Sequence, residues 1–192
     1  MQKIGFLVVG FIIFGLLFFG FDVYKKNIQG QAHISQKHAM VQIEDGNFTK
    51  AKKLLNESIE LYPSSLVYET LGDIFLFEGN RQFAMNNYNL AKILCENKCD
   101  ETLIVISSYM NEPNSTKTKE NLRKLILYTE SLIKLSNNKE IIYFNLGKYY
   151  LVQGDVHRAI KMFEEANHLY RYKNQTSQKD VDKIILLLTE EL

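Results

Sequence analysis

Two cysteines and four histidines are the residues whose chemistry could build a metal or redox site. Cys95 and Cys99 lie four residues apart, and a zinc ion between them would need two further ligands that the sequence does not place nearby. The histidines are scattered along the chain, at His33, His38, His157 and His168. No glycine-rich phosphate loop is present, and the acidic residues are spread along helices. We therefore predict no catalytic site, no metal site and no cofactor.

The cysteine pair leaves two interpretations open. In an oxidising compartment, Cys95 and Cys99 could form a disulfide that staples the turn between two helices. In a reducing compartment, the same residues would be two thiols, one packed and one exposed. A redox or thiol role through this pair is one of the functional hypotheses that the sequence allows.

The charge balance bears on the class of partner. Lys3 is the only charged side chain before residue 22. Residues 22–192 therefore carry 22 basic and 22 acidic side chains. Proteins that bind nucleic acid carry an excess of basic side chains for the phosphate backbone. We therefore predict no nucleic-acid partner.

An apolar segment near the N-terminus predicts a membrane anchor. Ile4–Phe21 is eighteen residues long and contains no charged side chain. As a helix it would span about 27 Å, close to the ~30 Å of a bilayer core. Its far end carries bulky phenylalanines where a signal peptidase needs small residues, so we predict an uncleaved anchor over residues 1–26.

The flanking charges give opposite indications for the orientation of this anchor. The short basic tail with Lys3 favours export of the rest of the chain, whereas Lys25 and Lys26 favour retention. Of the two we expect export. The composition, with nineteen lysines against four arginines, suggests an AT-rich genome and hence a bacterial inner membrane or an organellar membrane.

Two segments of the chain carry the same series of residues with the same spacing. Each has an aromatic residue, a Leu-Gly pair, a second aromatic, a Gly-Asn or Gly-Asp pair, and an alanine with an aromatic four residues later. The first series is Tyr68, Leu71, Gly72, Phe75, Gly79, Asn80, Ala84 and Tyr88. The second series is Tyr143, Leu146, Gly147, Tyr150, Gly154, Asp155, Ala159 and Phe163. A weaker copy contains Ala39, Gly46, Asn47, Ala51 and Leu55.

The spacing within each copy predicts a pair of packed helices. The aromatic and leucine positions share one helical face. The glycine beside leucine lets a second helix approach, and the alanine is its small counterpart. The Gly-Asn or Gly-Asp pair predicts a left-handed glycine that ends the first helix and a cap that begins the next.

These motifs resemble the tetratricopeptide repeat family, whose units are helix–turn–helix pairs of 34 residues. The resemblance implies an all-α solenoid over residues 32–173, preceded here by the transmembrane helix. Its units are 32–64, 65–98, a degenerate 99–139, and 140–173, followed by a capping helix in 174–192. In the degenerate unit we expect helices at Asp100–Met110 and Lys119–Leu135, with Lys124 and Tyr128 in the places of the alanine and aromatic.

The resemblance also implies where a partner binds, because the first helices of such units line a concave groove. The predicted groove residues are Gln36, Met40, Glu69, Asp73, Phe144 and Lys148. Of these we expect Glu69, Asp73 and Lys148 to face solvent. The family's chaperone-tail clamp uses several lysines, asparagines and an arginine, whereas this groove offers Gln36, Met40, Glu69 and Asp73 in such places. We therefore expect an extended or helical protein segment with apolar anchors and some positive charge, and no small-molecule substrate.

Together these features predict a single-pass membrane protein that displays a protein-binding repeat domain. Its expected work is to act as a scaffold or assembly factor for a membrane complex. The first alternative is a permanent structural subunit of a large membrane complex. The second is the thiol role of Cys95 and Cys99.

Overall fold

A computed structural model describes the backbone of residues 2–95, 98–172 and 178–190, and within these ranges the side chains from residue 21 onward. The described residues form α-helices joined by short turns, and none of them lies in a β-strand. The helices are α1 (Gln2–Glu44), α2 (Phe48–Leu61), α3 (Ser65–Phe77), α4 (Arg81–Cys95), α5 (Glu101–Asn111), α6 (Thr116–Leu132), α7 (Lys139–Gln153), α8 (Val156–Tyr172) and α9 (Gln178–Glu190). The all-α prediction is confirmed for this part of the chain.

The first helix is longer than any single repeat helix. It runs without a break through 43 residues and so extends about 65 Å, passing the predicted anchor boundary at residue 26. Apart from Phe21, the side chains of the predicted anchor Ile4–Phe21 lie outside the described residues. Among the residues whose side chains are described, from residue 21 onward, no helix combines the length and apolar character needed to cross a bilayer.

The turns within three helix pairs have the predicted chemistry. Gly46, Gly79 and Gly154 adopt positive φ angles of 70°, 72° and 89°, which a residue with a side chain rarely tolerates. The next residue then caps the following helix with its side-chain oxygen. Asn47 accepts from the amide of Lys50 at 3.2 Å, and Asn80 and Asp155 make the equivalent bonds to Phe83 and Arg158.

The glycine of each strong copy packs against the aromatic residue of the paired helix. A Cβ placed on Gly72 would lie 2.8 Å from the ring of Tyr88, and one on Gly147 would lie 2.7 Å from the ring of Phe163. Both rings are fully buried. The missing side chain of each glycine is therefore the space that the ring of the paired helix fills.

The degenerate third unit forms two helices close to the predicted bounds, but the predicted register of its second helix is wrong. Lys124 and Tyr128 are exposed, Tyr128 at 64%. The buried row of α6 contains Leu122 and Ile126 instead. Burying the apolar Leu122 and Ile126 is more favourable than burying Lys124 and Tyr128, which stay in contact with water.

The fourth unit packs back onto the earlier ones rather than only onto its sequence neighbour. Besides its partner α8 and the preceding α5 and α6, α7 contacts α3. An aromatic cluster lies at this junction. The ring centroid of Phe77, at the end of α3, is 5.9 Å from the ring centroids of both Phe144 and Phe163. These rings join the second unit to the fourth.

The last helix also reaches the first unit. α9 buries Val181, Ile184 and Leu188, and it packs on α8 and contacts α1 and α3. Lys179 at its start is 3.1 Å from the carboxylate of Asp45 in the first turn. The predicted capping helix therefore covers more than the last unit, because it also contacts the turn between α1 and α2.

Candidate partner-binding site

A polar contact joins the first helices of the second and fourth units. The Lys148 ammonium on α7 is 3.0 Å from the Asp73 carboxylate on α3. The other Asp73 oxygen accepts a hydrogen bond from the hydroxyl of Tyr88 on α4. Three helices are thus tied to one carboxylate. The side chains of Lys148 and Asp73 are 9% and 23% exposed, so water screens this contact little.

The pKa values of the neighbouring groups follow from this burial. Burial lowers the pKa of Lys148, but the charge and hydrogen bond of Asp73, helped by Glu69, outweigh it and raise that pKa. Burial together with Asp73 raises the pKa of Tyr88 well above its usual value. The cation and the phenol therefore keep their protons at neutral pH.

Glu69 lies one helical turn before Asp73 and belongs to the same electrostatic cluster. Burial raises the pKa of Glu69, Lys148 opposes that shift, and the charges of Asp73 and Asp100 add to it. Since Lys148 already pairs with Asp73, the cluster has an excess of negative charge. Glu69 is half-buried and Asp100 is exposed.

The expectation that Glu69, Asp73 and Lys148 face solvent is therefore wrong. Lys148 is buried, because α7 packs directly on α3, and the other two are only partly accessible. The sequence pattern treated each first helix as the lining of an open groove, whereas the fourth unit covers part of the second. Whether these residues bind a partner is a separate prediction.

Phe144, Gln36 and Met40 complete the predicted set. The Phe144 ring packs edge-on against Phe163 with centroids 5.5 Å apart, so it serves the aromatic cluster. Gln36 is half-buried and Met40 is 44% exposed on α1. The principal packing partners of α1 are α2 and α9. These two residues therefore lie on another helix pair from the Asp73–Lys148 contact.

Two contacts at this junction escaped the sequence analysis. The guanidinium of Arg81 donates to the backbone oxygens of Leu151 and Val152, each at 2.8 Å. Those oxygens lie at the C-terminal end of α7, where a cation is favourable. The Tyr88 hydroxyl is the other contact. Its sequence signal is a tyrosine where the matching fourth-unit position has Phe163, because a buried hydroxyl needs a partner.

The cysteine pair lies at the end of α4. The structure joins Cys95 and Cys99 through their sulfur atoms, with Cα atoms 5.0 Å apart, a separation that a disulfide can span. This bond fixes the path of the chain from the second unit into the third. It is the disulfide alternative of the two that the sequence left open.

Comparison with known families finds repeats at both ends of this array. Tetratricopeptide repeat models match residues 36–65 and 141–171. A search of curated proteins found no match. The first match covers the weak copy that has Ala39 in place of glycine. Two segments of this chain thus match tetratricopeptide repeat models, and repeats of this kind point to a protein–protein interaction module.

Proposed function

We propose that this protein is a membrane-anchored interaction module that holds a protein segment against the surface formed by α3 and α7. The proposal rests mainly on the excess negative charge of Glu69 and Asp100 beside the paired Asp73 and Lys148. A segment with a lysine or arginine and apolar neighbours complements this surface. Such a module would serve as a scaffold or assembly factor for a membrane complex.

The energetics of Glu69 support this role. Burial removes water from its carboxylate, and the negative charges of Asp73 and Asp100 repel it. Its charged form is therefore less favourable than in water. A cation from a partner would relieve that repulsion and lower the pKa of Glu69 towards its ordinary value. Partner binding would therefore be tighter above the pKa of Glu69 than below it, and it would weaken with salt.

The anchor is part of the proposal. Ile4–Phe21 is apolar enough in sequence to cross a bilayer, and α1 continues from it into the first repeat without a break. We propose the exported side for the repeats, because the bond between Cys95 and Cys99 suits an oxidising compartment. The test is alkylation of intact cells followed by mass spectrometry. Free, alkylated thiols on both cysteines would contradict export.

The binding site is tested by reversing one charge. The full chain carrying Glu69→Lys is cross-linked in its native membrane and purified beside the wild type. Glu164→Lys on α8 is the matched control, because Glu164 is an exposed acid on another helix. The proposal expects loss of the cross-linked partner with Glu69→Lys alone, most clearly at low salt.

A second variant separates charge from packing. Glu69→Gln keeps the shape of the side chain and removes its charge, so it should weaken partner recovery without lowering the melting temperature. Recovery that is equal for the wild type and both Glu69 variants at every salt concentration would refute this site.

A further inference from the structure

Large apolar side chains are exposed at one end of the first two units. They lie where α2 ends, where α3 begins and where α4 ends. Their exposed fractions are 38% for Leu61, 40% for Tyr62, 59% for Leu66, 69% for Ile93 and 41% for Leu94. We call these five residues the apolar end. Water contact with so many large side chains is costly enough to indicate a covered surface.

Helix directions place these residues together. α2 runs antiparallel to α1, because the turn at residues 45–47 joins them and the Ser58 hydroxyl donates to the oxygen of Ala32 at 2.9 Å. α4 runs antiparallel to α3, because Tyr88 lies over Gly72. The C-terminal ends of α2 and α4 therefore meet the start of α3 at one end of the domain.

The opposite end of the same helices has a different character. Its turns carry Gly46-Asn47 between α1 and α2 and Glu78-Gly79-Asn80 between α3 and α4. These residues are polar or lack a side chain, and Glu78 pairs with Lys52 at 2.6 Å. Exposed apolar side chains occur at this opposite end too, with Val41 at 51% and Phe83 at 53%. Its turns carry none, however, whereas the α2–α3 connection and the α4 terminus together carry five.

The apolar end points towards the predicted membrane segment. α1 enters the domain at this end, and Ala32 lies eleven residues after Phe21 on the same helix, a rise of about 16 Å. The polar headgroup layer occupies roughly the first 5–8 Å beyond the hydrocarbon core. Ser58 lies level with Ala32, and Leu61 lies three residues farther along α2, about 4.5 Å nearer the anchor. The remaining gap of about 4 Å is within the reach of a side chain.

The charged and aromatic residues beside the apolar end suit a headgroup layer. Lys25 and Lys26 follow the apolar segment on α1, and Lys92 lies in the last turn of α4. Tyr24 is 64% exposed on α1. Tyrosine and lysine are the residues that favour the membrane–water interface, since each has an apolar body and a polar tip.

We propose that the apolar end rests on the lipid headgroups of the bilayer that holds the anchor. This inference depends on the proposed anchor, and it adds an orientation to it. The first two units would stand on the membrane with the Gly46 and Gly79 turns directed away. The surface of α3 and α7 that carries Glu69 would then be held at a fixed height above the bilayer.

The chain contains no tryptophan, so single tryptophans report position without background. Tyr62→Trp and Ile93→Trp are placed at the apolar end, and Phe14→Trp in the predicted anchor. The matched control is Phe83→Trp, 53% exposed near the start of α4. Each full-length variant is reconstituted into two kinds of brominated phosphatidylcholine vesicle, one with bromine near the headgroup and one with bromine near the methyl end of the acyl chains. Its emission in each is compared with that in unbrominated vesicles.

The proposal expects loss of emission in brominated vesicles for Phe14→Trp, Tyr62→Trp and Ile93→Trp, but not for Phe83→Trp. Quenching of Phe14→Trp alone would overturn the proposed orientation and leave the anchor standing. A blue-shifted but unquenched emission at residues 62 and 93 would also overturn it, because protein rather than lipid would then cover this end. An unquenched Phe14→Trp would refute the anchor as well.

Discussion

At the scale of single residues, the fit of two helices depends on the absence of one side chain. Gly147 faces the ring of Phe163, and a Cβ there would lie 2.7 Å from a ring carbon. Since Phe163 is fully buried among other rings, it has little room to move. Gly30 on α1 is the useful contrast, because a Cβ at that position would meet nothing within 4 Å.

We therefore expect Gly147→Ala to lower the free energy of unfolding by about 1–3 kcal/mol through overpacking. Gly30→Ala should raise it by about 0.5–1 kcal/mol, because alanine is the better helix former. Both values come from denaturant titration of the full chain in detergent, followed by far-ultraviolet circular dichroism. An unchanged midpoint for Gly147→Ala would show that the α7–α8 contact is looser than described.

Asp180, in the first turn of α9, should make the free energy of unfolding depend on pH. It is buried, and burial raises its pKa to about 7, helped by the charges of Glu44 and Asp182. Burial raises the pKa of the nearby Tyr170 to about 12, and the charges of Asp180 and Glu140 add to that shift. The packing of α9 against α8 and α1 is therefore most stable when Asp180 holds a proton.

The pH dependence has a definite sign. Because the folded-state pKa of Asp180 lies above its usual value of 3.8, its stabilising contribution is complete below pH 4 and is lost as the pH rises through 7. The loss is at most on the order of 4 kcal/mol. Asp180→Asn keeps an acceptor for the Val181 amide, so it should match the wild type at pH 4 and exceed it at pH 8. Parallel stability curves for the two proteins from pH 4 to 8 would contradict this.

At the scale of helices, the contact between α3 and α7 contains one ion pair beside the ring contact of Phe77 and Phe144. Asp73 neutralises the buried Lys148 and accepts from Tyr88, so its loss leaves a charge without compensation. Asp73→Asn should therefore cost about 3–5 kcal/mol. Lys148→Met should lower the free energy of unfolding by less, since Tyr88 still donates a hydrogen bond to Asp73 in that variant. Thermal melts of the two variants and of the double variant measure this, and single-variant losses that simply add up in the double variant would exclude the pairing.

Sequence reasoning predicted the local structure well and the contacts between distant units poorly. The glycine turns at residues 46, 79 and 154 and their caps follow from conformational needs within a few residues. The burial of Lys148 depends on how α5 and α6 place the fourth unit against the second, which no short motif encodes. The register of α6 was wrong because alignment to the other units favoured Lys124 and Tyr128 over the apolar Leu122 and Ile126.

At the scale of the whole molecule, one helix links the predicted anchor to the repeats, and the last helix contacts the first unit. α1 leaves no flexible linker between the apolar segment and the domain. α9 packs on α8 and meets the turn between α1 and α2. The repeat domain therefore holds together as one body, so a partner bound at α3 and α7 would be held at a fixed place relative to α1.

The most direct test of this account is site-specific photo-cross-linking in living cells. A photoreactive amino acid replaces Ile141, which is 50% exposed near the start of α7, so that Glu69 keeps its charge. Glu164 on α8 is the control position. The account predicts one discrete protein adduct at position 141, absent at position 164, in which mass spectrometry finds a peptide with lysine or arginine near the cross-link. Adducts that are the same at both positions, or that lack a basic residue at the site, would contradict it.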